Sequence, residues 1–241
     1  VSVLLDRLED RAGITAHTVP LRIPYRETIR RTASAQGRHK KQTGGAGQYG
    51  DCWLRLEPNP GAGYEFLDEV VGGHIPRGFI PAIDKGVQET MRDGVLAGYP
   101  MIDVRVAVYE GSYHPVDSNE MAFKTAARIA FQKACEQAEP VLLEPMAKIE
   151  ATVPDSYAGS VMGDVSASRG RVEGMNATDK GQTLVTATVP LAEVTDYATR
   201  LRSLSRGTGE FTLEVCGYEQ VPHDVQEKLA ADYAARRAAG R

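Results

Sequence analysis

The chain has 241 residues, 42% hydrophobic and 25% charged, which suits one large or two ordinary globular domains and excludes a disordered chain. Lys and Arg number 28 against 32 Asp and Glu, a net charge of −4 that argues against indiscriminate coating of nucleic acid. No apolar run is long enough to cross a membrane and no signal-peptide pattern is present, while Cys52, Cys135 and Cys216 lack CxxC spacing. The expectation is a reduced, cytoplasmic protein with no membrane partner, no disulfide scaffold and no metal site.

Residues 1–12 read as an amphipathic helix with Leu4, Leu5 and Leu8 on one side, stopped by Gly13. Ile14 to Val19 reads as a strand. A helix and one strand cannot close a core, so this segment is expected to be the tail of a domain that begins upstream. Pro20 and Pro24 mark a boundary, and Leu21, Ile23 and Tyr25 alternate with Arg22 and Arg26 as a strand with a basic outer face. Arg22, Arg26, Arg30, Arg31, Arg38, Lys40 and Lys41 face only Glu27 across that span, so a local basic lobe for docking to a structured polyanion is expected.

The stretch Gly37 to Asp51 joins a basic run, Arg38-His39-Lys40-Lys41, to Gly44, Gly45, Gly47 and Gly50 with one aromatic, Tyr49. Glycines allow close backbone approach, and beside cations they bring bare N–H groups to phosphate oxygens. Gly45 to Gly50 fits GxGxxG literally. A dinucleotide site requires a strand before the glycines and a helix after, whereas Cys52 to Leu56 alternates as a strand. No VAIK, HRD or DFG element follows, so a kinase loop is excluded too.

Pro58 to Gly61 is a turn and Tyr64 to Phe66 a strand; Ile83, Val87 and Met91 predict a helix over 81–92, closed by Gly94. Ile102, Val104, Val106 and Val108 alternate along a strand. A second loop, Gly111 to Glu120, contains Ser112, Tyr113 and His114, and Asp117 with Glu120 matches a capping box. The helix it opens carries Phe123, Ala127, Ala130, Phe131 and Ala134 up to about Ala138. His114 thus precedes a helix N-terminus without a second His at ligand spacing.

Glu139 to Pro145 reads as a short, stiff link. Beyond it a βαββαβ order emerges: a strand at 149–153, a helix striped by Val161 and Val165, strands at 171–175 and 183–189 joined by a turn at Asp179-Lys180-Gly181, a helix with Tyr197, Leu201 and Leu204, and a strand at 211–215. This is the split βαβ, or ferredoxin-like, plan. Residues 222–241 form a tail, helical at best and frayed. No P-loop, GxSxG elbow or HExxH is present, so no catalytic site is assigned.

Several blocks closely resemble bacterial elongation factor G: Tyr25 to Arg30, Lys41 to Gly50, Leu96 to Pro100, Gly111 to His114 with Val116 to Ser118, Pro140 to Pro145, and Tyr197 to Leu204. They recur in the family's order over nearly the whole chain. The resemblance implies an α+β chain of two domains: residues 22–140 as domain IV, ribosomal protein S5 domain 2-like, then 141–222 as domain V, a ferredoxin-like split βαβ sandwich. Residues 1–21 would be a remnant of domain III and 223–241 a C-terminal tail.

By the same resemblance, the chain acts on the ribosome, where domain IV enters the small-subunit decoding site beside A-site tRNA and mRNA and promotes GTP-dependent translocation. Domain V would lie near the sarcin–ricin loop and stalk base of the large subunit. The tip would comprise Gly44, Gly45, Gly47, Gln48, Tyr49, Ser112, Tyr113 and His114, with Arg38, His39, Lys40 and Lys41 contacting phosphates. No cofactor is expected on this chain; GTP and Mg would belong to a GTPase part of the parent protein. The chain departs from the pattern at Ala46, where Arg is usual, at Pro115, where Asp is usual, and at Ser166-Ala167-Ser168-Arg169, where a basic run is usual. These changes raise, as the alternative to translocation, a divergent paralogue acting in ribosome recycling or ribosomal protection, the latter disfavoured by the Gly111 to His114 loop, which follows the elongation factor pattern. The competing classes are a stand-alone RNA-binding module and an enzyme for a phosphate-bearing metabolite.

Overall fold

Two β-sheets, each with its own hydrophobic core, organise the chain. The structure, a computed structural model, describes residues 10–15, 21–42, 47–178 and 181–239. Its strands are β1 (Arg26–Ile29), β2 (Ala33–Lys41), β3 (Gln48–Pro58), β4 (Glu65–Asp68), β5 (Val104–Ser112), β6 (Pro140–Pro154), β7 (Arg171–Thr178), β8 (Gln182–Pro190) and β9 (Glu210–Gln220). The helices are α1 (Ile80–Asp93), α2 (Glu120–Gln137), α3 (Asp155–Ala167), α4 (Tyr197–Leu204) and α5 (His223–Ala239).

The first sheet has the order β2-β3-β5-β4, antiparallel except for the parallel β4–β5 pair joined through α1. Alternation along β3 and β5 buries Leu54, Leu56, Val104, Val106 and Val108 against Phe123, Ala127 and Phe131 of α2. The alanine stripe of α2 allows unusually close packing, and the sheet answers with glycine. A Cβ at Gly37 would overlap the Ala126 carbonyl, and one at Gly50 the Ala122 carbonyl. Two of the glycines around the basic hairpin therefore serve helix-to-sheet contact.

The second sheet follows β7-β8-β6-β9, with α3 and α4 supplying Val161, Val165, Tyr197 and Leu201 to its core. This is the expected split βαβ arrangement. Tyr197 meets Phe211 edge-on at 5.0 Å between ring centroids.

Five local expectations change. Residues 21–25 form no strand; pairing begins at β1, which joins β6 of the second sheet through Arg26↔Leu143 to Ile29↔Pro140. The supposed link at 139–145 is the first part of β6, one strand of 15 residues. Its second proline is tolerated because Pro145 lies between the last partner in β1, at Leu143, and the first in β8, at Met146. Asn119, not Asp117, caps α2: its side chain accepts from the Ala122 N–H at 2.8 Å. The tail is a docked helix: Val225, Leu229 and Tyr233 of α5 pack on Ala97, Leu142 and Val221, and Gln226 accepts the Leu142 N–H. At the other end, residues 10–12 are helical and Gly13 has φ +63°, while Ile14 and Thr15 are not in a strand; the rest of the expected opening helix and strand, and Asp179-Lys180, lie outside the described residues.

The junction is fixed by Glu27 on β1. Its side chain is fully buried, and its carboxylate accepts four backbone N–H groups, from Val95, Leu96, Ala97 and Tyr99, at 2.7–3.0 Å. Four donors replace the water that a buried carboxylate loses. Glu27 therefore neutralises none of the surface arginines around it.

Candidate nucleic-acid interface

The hairpin of β2 and β3 keeps strict register to its end, pairing Arg38↔Asp51, His39↔Gly50, Lys40↔Tyr49 and Lys41↔Gln48. Gly44, Gly45 and Ala46 lie outside the described residues. β5 pairs with β3 so that Ser112 falls opposite Asp51. The loop carrying Tyr113 and His114 therefore leaves the sheet beside the hairpin end, and the two predicted loops share one end of the first sheet.

A polar network locks this end. Gln36 Nε2 donates to Asp51 Oδ1 and Ser112 Oγ donates to Asp51 Oδ2, both at 2.7 Å. With its one proton given to the carboxylate, Ser112 Oγ receives the Tyr49 hydroxyl at 2.8 Å. Tyr49 is also held through its backbone: its N–H donates to the Asp117 carbonyl, and its carbonyl accepts from Ser118 Oγ, each at 2.9 Å. Next to Asp51, burial foremost and then the Asp51 charge push the Cys52 thiol up to about 12, so it is no nucleophile.

His114 stands half-exposed on this frame. The Val116 and Asp117 N–H groups point to its Nδ1 at 3.3 and 3.1 Å, and Ser118 Oγ accepts the His114 N–H at 2.9 Å. Asp117 Oδ2 is 3.4 Å from the same Nδ1. The two N–H groups fit a lone pair on Nδ1, which leaves Nε2 as the ring's donor. Gly47 lies under the same carboxylate, where a Cβ would collide with Asp117.

The surface above the frame is cationic and aromatic. The Arg38 guanidinium sits 5.3 Å from the Tyr49 ring centroid, and the Tyr49 and His114 rings are 6.4 Å apart. Arg38, Lys40 and Lys41 are exposed, and none is in an ion pair among the described residues. His39 is turned sideways, its Nε2 2.9 Å from Gln48 Oε1. Tyr113 is 45% exposed and beyond the network. Asp51, Gln36, Asp117 and Ser118 were not among the expected site residues: Asp51 and Ser112 are 61 positions apart, and only strand register joins them.

The single basic lobe expected from 22–41 is divided. Arg22 lines a groove at the junction with Arg236 and Arg237 of α5, whereas Arg38 to Lys41 lie in the second half of β2, about 17–26 Å along the strand from its first residue. Arg31 pairs with Glu139 at 2.9 Å. Among the described residues no group of three His, Cys, Asp or Glu side chains is arranged to hold a metal, and no helix is long and apolar enough to cross a membrane.

The family model described as Elongation factor G, domain IV matches residues 21–139, and that described as Elongation factor G C-terminus matches residues 141–229. The chain belongs to the elongation factor G family. An Elongation factor G-like protein of Thermotoga maritima is 50% identical over 230 residues, covering 95% of this chain and 34% of that protein. A crystal structure of a Thermus thermophilus protein superposes with a TM-score of 0.84 at 42% identity, over 97% of this chain and 35% of that one. The chain thus spans about a third of the length of these relatives. The first sheet lies within the domain IV match, and the second, apart from β1, lies in the region of the C-terminus match.

Proposed function

We propose that this chain is the ribosome-engaging part of an elongation factor G-like translation factor, in which the end bearing Tyr49 and His114 enters the small-subunit decoding site. The observation that carries the reading is the convergence of Arg38, Lys40 and Lys41, in no ion pair among the described residues, with His114 on a braced frame. Phosphates of A-site tRNA and mRNA meet the cations, and the Nε2–H of His114 donates to phosphate or ribose oxygen. The chemistry is non-covalent: a shaped, rigid end holds the codon–anticodon pair during movement. GTP and its Mg belong to another part of the parent factor, and the second sheet faces the sarcin–ricin loop and stalk base. The factor works in the cytoplasm.

Arg169 favours a divergent factor as the particular member. The family resemblance places basic, RNA-facing residues after the first helix of the second unit. Here Arg169 Nη1 and Nη2 fork onto Glu144 at 2.7 and 2.9 Å, and Nε donates to Glu193 at 3.0 Å. These bonds, Glu144 first, push the guanidinium pKa up and occupy the one cation left there.

The test is His114→Ala in the full-length factor. Single-turnover tRNA–mRNA movement should slow about tenfold, the loss of one hydrogen bond of roughly 1.4 kcal/mol at the barrier, with ribosome-stimulated GTP hydrolysis little changed. Unaffected movement would remove His114 from the interface.

A further inference from the structure

A second cationic surface lies at the junction, away from the braced end. α5 crosses the loop 94–99, and Tyr233 packs its ring edge on Gly98. On one side of that packing a groove of about 640 Å³ is walled by Arg22, Arg236 and Arg237 over a floor that includes Tyr25 and Tyr99. On the other side a groove of about 390 Å³ carries Arg92, Arg128 and again Arg237, with Asp93 as its acidic member. All five arginines are exposed, and none is in an ion pair among the described residues. Five guanidinium groups around one tyrosine, without a carboxylate partner among the described residues and on a chain of net charge −4, form a concentrated positive field.

The arrangement favours phosphate over other anions and a duplex over a single strand. Guanidinium forks match phosphate oxygens in pairs. The three tyrosines that would stack unpaired bases are half-buried instead: Tyr25 lies 5.2 Å from Tyr99, and Tyr233 is covered by Arg237 at 5.8 Å. Backbone reading of an A-form helix needs only cations spaced along a groove. We propose that this two-sided groove binds the phosphate backbone of double-helical RNA, as a second surface independent of the Tyr49–His114 end. The elements that carry it come from three parts of the chain: the segment before β1, α1 with α2, and α5. It exists only when α5 is docked.

The test uses the complete chain and a labelled RNA duplex of arbitrary sequence, with affinity measured across a salt series. Arg236→Ala with Arg237→Ala should lower the slope of log K against log salt by about 2, near one unit for each phosphate no longer neutralised. The Lys pair, Arg236→Lys with Arg237→Lys, should restore most of it, and an unchanged thermal transition in both variants excludes a folding defect. The same change must persist in a Lys40→Ala, Lys41→Ala background, whose own loss of slope reports separately on the first surface. An unchanged slope in the Arg236/Arg237 variant, or equal affinity for a polyglutamate of matched charge, would overturn the proposal, whatever the lysine variant does.

Discussion

Two buried carboxylates, Glu27 and Asp51, are satisfied in opposite ways. Glu27 is held by four backbone N–H groups, Asp51 by the side chains of Gln36 and Ser112. Neither is in an ion pair among the described residues. Backbone donors belong to the loop whatever its side chains are, so Glu27 dictates the path of residues 95–99 and the seat of α5. Side-chain donors must themselves be held in place, so the hold on Asp51 depends on how Gln36 and Ser112 are fixed by their strands. The junction is held by main chain, the end bearing His114 by side chains.

The sharpest way to break this contrast is Glu27→Ala, which strands four donors in a dry site. We expect a loss of roughly 4 kcal/mol or more, read by denaturant unfolding. Glu27→Gln should cost nearly as much, because its amide nitrogen presents donors to donors. A loss below about 1 kcal/mol in either variant would mean that water reaches the loop N–H groups.

A smaller effect is expected at the other carboxylate. Asp51→Ala releases Ser112 and Gln36, which are partly exposed and can find water, so the cost should be about 1–3 kcal/mol. For a chain of this size that lowers the melting temperature by about 2–4 °C per kcal/mol. If Asp51→Ala equals Glu27→Ala in cost, the two sites are not different in kind.

The smallest effect belongs to Tyr49→Phe, which removes one hydroxyl but keeps the ring under Arg38. About 0.5–1.5 kcal/mol is expected, together with faster amide exchange at residues 112–118. A stability change without that local change would place the role of the hydroxyl elsewhere.

Periodic apolar positions made most of this architecture legible: α1, α2, the alternating strands and the βαββαβ order follow from spacing alone. What escaped has physical reasons. Glu27 lies among arginines in sequence and looks like their counter-charge, but only the fold reveals that it points inward. The prolines at 140 and 145 imitate a linker because sequence does not show which backbone edge goes unpaired. Asn119 and Asp117 are both competent caps, and the choice depends on Asp117 being needed opposite His114 and Gly47. The apolar face of α5 is thin, so its docking on Ala97 and Leu142 was not readable from periodicity. His114 and the basic hairpin were readable as a pair only through resemblance, since register over 61 residues brings them together.

The ladder between β1 and the start of β6 gives the molecule a doubled neck. The chain enters the first core through one of these strands and departs from it through the other, hydrogen-bonded side by side over four register pairs. A lateral load on the apical loops is thus carried in shear by both crossings at once, with no single pivot to yield. Bending at this level demands that the ladder rupture, so the two cores should melt together and transmit displacement as a stiff lever.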